Sequence, residues 1–268
     1  MTILPTLVLI GGGRMGSALL AGWREQGLSQ VFIVDPSEHA KSLTGQAINV
    51  VPHIDDLPDD LAPEAVILAI KPQMAAGILP AYARFAKTAL FLSIMAGKTV
   101  TGLSALLGSD AEMVRAMPNT PAAVRKGFTV AYAKPDLRPV HRALATTLLK
   151  AVGDVAWVEE ESMLDPVTAI SGGGPAYVFL LTELLEQAGL DQGLPPELAK
   201  LMARQTVIGS ASLLAASPET PEALRIGVTS PGGTTAEALK LLRADDALPK
   251  IFKAAIMAAT ERSRELSA

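Results

Sequence analysis

The sequence predicts an α/β protein in two parts: an N-terminal, mostly parallel sheet with helices on both faces, and an all-helical C-terminal part. The first observation is a series of short apolar runs that alternate with helical segments in the first half of the chain. The second is a change of pattern near residue 160, after which apolar residues recur at helical spacing. Strands that are continuous apolar runs are buried on both faces, which is typical of parallel sheets covered by helices.

The predicted strands are short apolar runs with turn-forming residues on either side. They are Leu7–Ile10, Val31–Val34, Ala65–Ile70, Ala89–Ile94, Glu112–Met117, Gly127–Tyr132 and Asp154–Val158. A helix over Met15–Gln26 separates the first two strands. Parallel strands need such crossover connections, so this order favours a mostly parallel sheet.

The second half of the chain predicts only helices. Pro175–Ala188 has apolar residues at helical spacing, and Pro195 and Pro196 open the next helix, since proline fits a first helical turn. Two further helices are predicted over Ala236–Arg243 and Leu248–Arg264. We therefore predict two domains, residues 1–159 and residues 160–268.

Composition narrows the functional classes. Of the 268 residues, 49% are hydrophobic but only 4% are aromatic, so the core must be aliphatic. The net charge of −4 and the lack of a basic run argue against a nucleic-acid partner. No apolar run approaches the roughly 18 residues of a membrane span. With no N-terminal leader pattern either, we expect a cytoplasmic protein without a membrane partner.

The reactive side chains are few. The chain has no cysteine, which excludes disulfides, thiolate nucleophiles and cysteine-ligated zinc. Its three histidines, His39, His53 and His141, lie far apart in the sequence. We therefore expect no metal site.

A glycine-rich loop follows the first predicted strand directly. Gly11, Gly13 and Gly16 form the pattern G-x-G-x-x-G between a strand and a helix. The first glycine permits a tight turn, the second lets the backbone approach a pyrophosphate, and the third lets the helix pack on the sheet. This context predicts a Rossmann-type dinucleotide-binding domain, with the phosphates at the helix N-terminus. The predicted cofactor loop comprises Gly11, Gly12, Gly13, Arg14, Met15 and Gly16.

Asp35 ends the second predicted strand, about 20 residues past the loop, where such domains meet the adenosine ribose. A carboxylate accepts hydrogen bonds from a 2′-hydroxyl and repels a 2′-phosphate, so Asp35 favours NADH. The alternative is that Asp35 merely starts the Asp-Pro-Ser turn. Nearby Arg14 and Lys41 could still attract a phosphate.

Five further segments occur in a recognisable order behind the glycine loop. They are Ala69–Gln73, Ser93–Gly97, Arg115–Pro121, Ser171–Tyr177 and Val228–Thr235. Together with the loop they resemble pyrroline-5-carboxylate reductase over nearly the whole chain, and Ser-Pro-Gly-Gly-Thr-Thr is the most specific segment. One departure is Ile54, which stands where the family often has an asparagine.

The resemblance implies an enzyme that reduces Δ1-pyrroline-5-carboxylate to L-proline, the last step of proline synthesis. It implies NADPH or NADH as cofactor, with the family favouring NADPH where Asp35 favours NADH. The substrate is a small molecule with one carboxylate. The resemblance also assigns dinucleotide binding to residues 1–159, and substrate binding and homodimer formation to residues 160–268. Family members commonly assemble dimers into larger rings.

Loops that follow the predicted strands should line one crevice at the carboxyl edge of the sheet. By resemblance these loops contact the cofactor. The residues concerned are Ala69, Ile70, Lys71, Pro72, Ala96, Gly97 and Asn119. For Lys71 the alternative is an ordinary surface lysine, and for Asn119 a structural turn.

The segment around Thr235 opens a helix after Pro231, and free N–H groups at a helix N-terminus suit a carboxylate. By resemblance the substrate contacts are Glu161, Ser230, Gly233, Thr234 and Thr235. The Thr235 hydroxyl would bond the ring nitrogen, which makes it the predicted catalytic residue. Ordinary helix capping by Ser230 or Thr234 is the alternative. For Glu161 it is a solvated acidic run.

Two other functions remain as alternatives. A β-hydroxyacid dehydrogenase has the same two-part architecture but uses a lysine on the first long helix of its second domain, and Pro175–Ala188 contains none. A non-catalytic dinucleotide-binding protein would keep the glycine loop without needing Gly232–Thr235.

Overall fold

The computed structural model describes residues 4–108 and 110–267. Its strands form one sheet of eight within these residues. They are β1 (Leu4–Ile10), β2 (Leu28–Val34), β3 (Ile48–Val51), β4 (Ala65–Leu68), β5 (Leu90–Ser93), β6 (Met113–Met117), β7 (Gly127–Ala133) and β8 (Gly153–Val158).

The strand order is β3-β2-β1-β4-β5-β6-β7-β8. Neighbours pair in parallel except β6 and β7, which pair antiparallel with Arg115 opposite Tyr132. Strands β7 and β8 are parallel to each other, so they run against the other six. The carboxyl ends of β1 to β6 therefore share one edge, and the predicted α/β fold is confirmed.

Strand β3 is absent from the sequence-based prediction, which had no strand between residues 35 and 65. It lies at the edge of the sheet, has four residues and includes Asn49, and its side chains after Ile48 are partly exposed. A short edge strand lacks the continuous apolar run of a buried strand, so the pattern did not reveal it.

Helices connect the strands and make up the second half. They are α1 (Arg14–Gln26), α2 (Glu38–Lys41), α3 (Ala75–Ile78), α4 (Val100–Leu107), α5 (Pro139–Lys150), α6 (Leu164–Val167), α7 (Gly174–Asp191), α8 (Pro196–Ala216), α9 (Pro221–Gly227), α10 (Thr234–Leu242) and α11 (Ala247–Ser267). The shorter helices are 3₁₀ segments at Ile54–Asp56, Pro72–Met74, Leu79–Phe85, Thr120–Val124, Glu161–Met163 and Ala244–Asp246, and a π-helix at Thr168–Gly172.

Both faces of the sheet are buried around its central strands β1 and β4, as their apolar sequences predict. Alternate residues of β1 enter opposite cores, Leu7 and Leu9 on one side and Val8 and Ile10 on the other. The first core includes Trp23 of α1, whose indole Nε1 donates to the Leu148 carbonyl of α5 at 2.9 Å. The second core includes residues of α4 and of the 3₁₀ segment 79–85.

The chain divides into two compact units. The first unit comprises residues 1–172 and 259–268, and the second comprises residues 173–258. Helix α11 begins in the second unit, and its last turns belong to the first. No helix in the described part of the chain combines the length and apolar character that crossing a membrane requires.

Candidate active site

The glycine loop connects β1 to α1 in a conformation that two of its glycines make possible. Gly11 has φ +98°, and a Cβ there would lie 2.6 Å from the Ala69 carbonyl oxygen. A Cβ on Gly16 would lie 2.2 Å from the Gly11 carbonyl oxygen. These two positions therefore exclude any side chain, because real Cβ atoms do not approach backbone oxygens this closely.

Gly13 differs, because a Cβ there would meet no described heavy atom within 4 Å. It is the N-cap of α1, with an exposed backbone and no side-chain cap. The N–H groups of the first helical turn have no intrahelical partner and point out of the helix end. The open space and the helix end together fit a pyrophosphate. Beside it the Arg14 side chain is exposed, whereas Met15 packs against the first core.

Asp35 joins the end of β2 to the glycine loop. Its Oδ2 accepts from the Gly12 N–H at 2.7 Å, and its Oδ1 accepts from the Ser37 N–H at 2.8 Å. Burial alone would raise the pKa of this carboxyl, but the hydrogen bonds from Ser37 and Gly12 outweigh burial and hold the pKa below its usual range. The Ser37 contact is the turn that the sequence offered as an alternative. The Gly12 contact also links Asp35 to the glycine loop.

A crevice of about 620 Å³ opens at this edge of the first unit. Among the predicted cofactor residues, it is lined by Gly11, Gly13, Asp35, Ala69, Ile70 and Lys71. Lys71 is exposed and is the N-cap of the 3₁₀ segment that Pro72 opens. The loops after β1, β2 and β4 thus meet in one place, as carboxyl-end loops of a parallel sheet do.

Other residues that were not among the predicted cofactor contacts also line this crevice. They are Pro52, His53, Ile54, Asp55 and Tyr82, of which the sequence singled out only Ile54, as a departure from the family. The first four follow β3 directly, so recognising that strand would have placed them at the carboxyl edge. Tyr82 is buried, and burial raises the pKa of its phenol, which keeps the hydroxyl neutral.

Two polar side chains near the glycine loop were also missed. The Ser17 hydroxyl donates to the Gly12 carbonyl oxygen at 2.8 Å, and its oxygen lies 3.3 Å from His39 Nε2. Ser17 follows the glycine pattern by one residue on α1. No sequence signal connects it to His39, because the contact arises from the packing of α2 beside the loop.

Glu161 is not part of a solvated acidic run. Its Oε1 accepts from the Arg115 Nη1 at 3.0 Å and from the Val100 N–H at 2.7 Å. The Arg115 side chain on β6 is 5% exposed and that of Glu161 is 22% exposed. The carboxylate therefore neutralises a buried guanidinium and satisfies the first N–H of α4. Its contact with substrate stays a prediction.

Replacing Glu161 by glutamine separates these two roles. We expect the free energy of unfolding to fall by about 2 to 3 kcal/mol, because the variant leaves the Arg115 charge buried without its partner. Urea unfolding measures this, with Glu159→Gln as an exposed control that should match wild type. Equal stability of the two variants would contradict the structural role. A higher KM for substrate in folded Glu161→Gln would indicate a substrate contact.

Asn119 is held from both ends of its amide. Its Oδ1 accepts from the Phe128 N–H at 2.9 Å, and its Nδ2 donates to the Ser171 hydroxyl at 3.2 Å. The residue therefore links the loop after β6 to the π-helix 168–172. The second amide hydrogen makes no hydrogen bond among the described residues, and the predicted cofactor contact of Asn119 stays a prediction.

The remaining predicted substrate residues lie in the second unit. Gly233, with φ −79° and ψ 170°, is the N-cap of α10, and no side chain caps this helix. The Ser230 carbonyl oxygen accepts from the Gly233 N–H at 3.0 Å, which closes the turn. Within residues 4–108 and 110–267, neither the Ser230 nor the Thr234 hydroxyl makes the capping hydrogen bond offered as an alternative. The N–H groups of Thr234 and Thr235 open the helix without intrahelical partners, an arrangement suited to an anion.

Two family models match the chain in succession. Residues 6–97 match "NADP oxidoreductase coenzyme F420-dependent", and residues 161–266 match "Pyrroline-5-carboxylate reductase dimerisation". The first match covers the glycine loop and the crevice residues. The second covers Glu161 and the segment 230–235. The order of the two matches agrees with the predicted order of a dinucleotide-binding part and a dimerising helical part.

Curated relatives and solved structures extend this similarity to nearly the full chain. The pyrroline-5-carboxylate reductase of Pseudomonas aeruginosa is 38% identical over 98% of this chain and 97% of its own. That of Pasteurella multocida is 35% identical over 97% of each. The Coxiella burnetii structure of the same name superposes with a TM-score of 0.90 at 32% identity, covering 98% of both chains.

A Plasmodium falciparum pyrroline carboxylate reductase, solved with NADP bound, superposes with a TM-score of 0.84 at 28% identity over 98% of both chains. The resemblance that the sequence motifs indicated is thus confirmed, and the β-hydroxyacid dehydrogenase alternative is not favoured. The chain belongs to the pyrroline-5-carboxylate reductase family.

Proposed function

We propose that this chain reduces the carbon–nitrogen double bond of Δ1-pyrroline-5-carboxylate to give L-proline, the last step of proline biosynthesis, with NADPH or NADH as cofactor. The observation that carries this proposal is the 38% identity to a curated reductase over 98% of the chain. The chain is an oxidoreductase that acts on a cyclic imine. The uncapped helix start at Thr234 and the glycine loop support the proposal, because each is suited to an anionic group of one reactant.

The first unit fits a nicotinamide dinucleotide. The space in front of Gly13 admits a pyrophosphate, and the crevice beside Asp35 has room for an adenosine. When bound, the cofactor supplies the hydride that the imine carbon accepts. The loops at Ala69–Pro72 and Ala96–Gly97, with Asn119, would hold the remaining parts of the dinucleotide.

The second unit contains most of the proposed substrate contacts. The N–H groups at the start of α10, from Gly233 to Thr235, would bind the single carboxylate. Ser230 is a further proposed substrate contact of this unit, and Glu161 of the first unit keeps its predicted substrate contact. The Thr235 hydroxyl would hydrogen-bond the ring nitrogen and fix the imine plane for hydride transfer. The nitrogen gains one proton and the carbon gains one hydride, which balances the reduction of imine to amine.

The helical part also forms the dimer. Large apolar side chains of α7 and α8 are exposed in the single chain, among them Phe179, Leu184 and Ile208. Exposed apolar surface of this kind marks a protein interface. We propose that substrate binding and dimerisation both belong to residues 160–268, dinucleotide binding to residues 1–159, and that dimers build a larger ring. The cytoplasmic location stays a prediction.

Nicotinamide absorbance in the presence of Δ1-pyrroline-5-carboxylate tests the function directly, with each cofactor assayed separately. We expect rapid oxidation that depends on the imine. Folded protein that oxidises neither cofactor with this substrate would contradict the proposed function.

Asp35→Asn tests the cofactor preference. Removing the negative charge should improve kcat/KM with NADPH relative to NADH by about tenfold, because a carboxylate beside the ribose repels a 2′-phosphate. The amide has one acceptor oxygen for two backbone donors, so we also expect a stability loss of about 1 kcal/mol. Asp55→Asn, which removes another carboxylate from the lining of the same crevice, is the matched control. An unchanged cofactor ratio in Asp35→Asn would show that the carboxylate serves only the turn and the loop.

A further inference from the structure

The last turns of α11 lie directly against the loop that follows β5. Gly97 in this loop is buried with φ +68°. A Cβ on Gly97 would lie 2.9 Å from the Leu266 carbonyl oxygen and 3.1 Å from the Leu266 Cβ. The backbone of the loop and the end of the helix are therefore in contact with no room for a side chain between them.

A buried polar pair holds this end of the helix in place. The Ser263 hydroxyl donates to Asp165 Oδ1 at 2.7 Å. Ser263 is 5% exposed and Asp165 is 9% exposed. Burying a carboxylate is costly, so the hydrogen bond that compensates it also fixes the position of both elements. Neither residue belongs to any motif that the sequence analysis identified.

The same short segment that carries Asp165 also holds the far end of the β5 loop. Glu161 accepts from the N–H of Val100, the residue that follows the loop and begins α4. Residues 161–165 thus contact the start of α4 through Glu161 and the end of α11 through Asp165. The end of α11 in turn contacts the β5 loop at Gly97. All of these residues belong to the first unit.

We propose that Ser263 and Asp165 are positioning residues for the cofactor: their hydrogen bond holds the end of α11 against Gly97 and so fixes the loop Ala96–Gly97. This inference rests on the proposed function, because it assigns that loop to the dinucleotide. Neither side chain need touch the cofactor. Without the hydrogen bond of this pair the loop can move. We expect this movement to weaken dinucleotide binding more than it slows the chemical step.

Ser263→Ala tests the pair. We expect the Kd for the reduced dinucleotide to rise by roughly tenfold. This Kd is measured from the fluorescence of the dinucleotide in the absence of substrate. The KM for the imine and kcat at saturating cofactor should change by less than about twofold. Ser263→Thr keeps the hydroxyl and should restore most of the affinity. Ser267→Ala is the control on the same helix, since among the described residues that hydroxyl donates to the Ser263 carbonyl oxygen and does not reach Asp165.

The result that would overturn the proposal is a Ser263→Ala protein with lowered thermal stability but wild-type dinucleotide affinity. Equal losses of affinity in Ser263→Ala and Ser267→Ala would also overturn it. Because the binding assay contains no imine, it separates this inference from the proposed function. Wild type that binds the dinucleotide but does not reduce the imine would contradict the assigned substrate, while the binding comparison would still decide the positioning role.

A second variant keeps the test valid if Ser263→Ala does not fold. Gly97→Ala forces the loop away from Leu266, and we expect it to weaken dinucleotide binding by at least roughly tenfold. Gly27→Ala is its control, because Gly27 has a similar φ of +93° but open space at the Cβ position. Wild-type affinity in Gly97→Ala would contradict the proposal.

Discussion

Thr235→Ala is expected to reduce turnover of Δ1-pyrroline-5-carboxylate by about a hundredfold, the usual cost of removing one hydrogen-bonding group aimed at the reacting atoms. Thr235 lies in the first turn of α10 with an exposed side chain, and its hydroxyl makes no hydrogen bond to the described residues. Its loss should therefore leave the fold intact. Steady-state kinetics with saturating cofactor, together with thermal unfolding, measure both effects.

Two controls isolate the hydroxyl. Thr235→Ser retains it and should keep most of the activity. Thr147→Ala removes an exposed threonine of α5 whose hydroxyl donates to the Ala143 carbonyl oxygen of its own helix, and it should behave as wild type. Turnover of Thr235→Ala within a factor of about three of wild type would show that the hydroxyl does not orient the imine.

Gly13→Ala is expected to raise the Kd and KM for the cofactor by roughly tenfold to a hundredfold with little change in stability. The added methyl meets no described atom within 4 Å, and Gly13 has φ −68°, which alanine adopts without strain. The methyl would instead occupy the space where the backbone approaches the pyrophosphate. The stability change should be about 1 kcal/mol or less, the range of a changed N-cap.

Gly16→Ala supplies the contrast. Its methyl would lie 2.2 Å from the Gly11 carbonyl oxygen, so α1 must shift and the free energy of unfolding should fall. Titration of the dinucleotide and urea unfolding of both variants separate a blocked binding site from a damaged fold. Unchanged cofactor affinity in Gly13→Ala would place the pyrophosphate elsewhere.

The inner strands β1 and β4 were the most predictable part of the sheet, because each contains an uninterrupted apolar run. Residues 7–10 and 65–68 are fully apolar and buried on both faces, so composition alone indicates their environment. The edge strand β3 has no such pattern, because the exposed Asn49 interrupts its apolar residues. Without β3, the residues Pro52–Asp55 could not be placed at the crevice, since the strand that precedes them sets their position.

The roles of single polar residues were less predictable. Glu161 stands in a run of three glutamates, and the sequence does not distinguish the one that pairs with Arg115, 46 positions earlier. The Asp165–Ser263 pair joins residues 98 positions apart and belongs to no motif. Local pattern identifies an element and its buried face, but which side chains meet across elements is decided by their packing.

The two roles predicted for Asp35, a ribose contact and the start of a turn, are compatible with each other. The sequence offered a ribose contact or a turn, and the structure gives the carboxylate one backbone donor from the turn and one from the glycine loop. Both hydrogen bonds use oxygens that retain a further lone pair. The turn therefore orients the carboxylate toward the crevice without consuming its capacity to bind a hydroxyl.

We expect this chain to reduce a cyclic imine to L-proline. The most direct test is to incubate the purified protein with Δ1-pyrroline-5-carboxylate and a reduced nicotinamide dinucleotide, and to measure product and cofactor together. The proposed function predicts equimolar formation of L-proline and oxidised dinucleotide. Consumption of the dinucleotide without L-proline, or no consumption by folded protein with either cofactor, would contradict it.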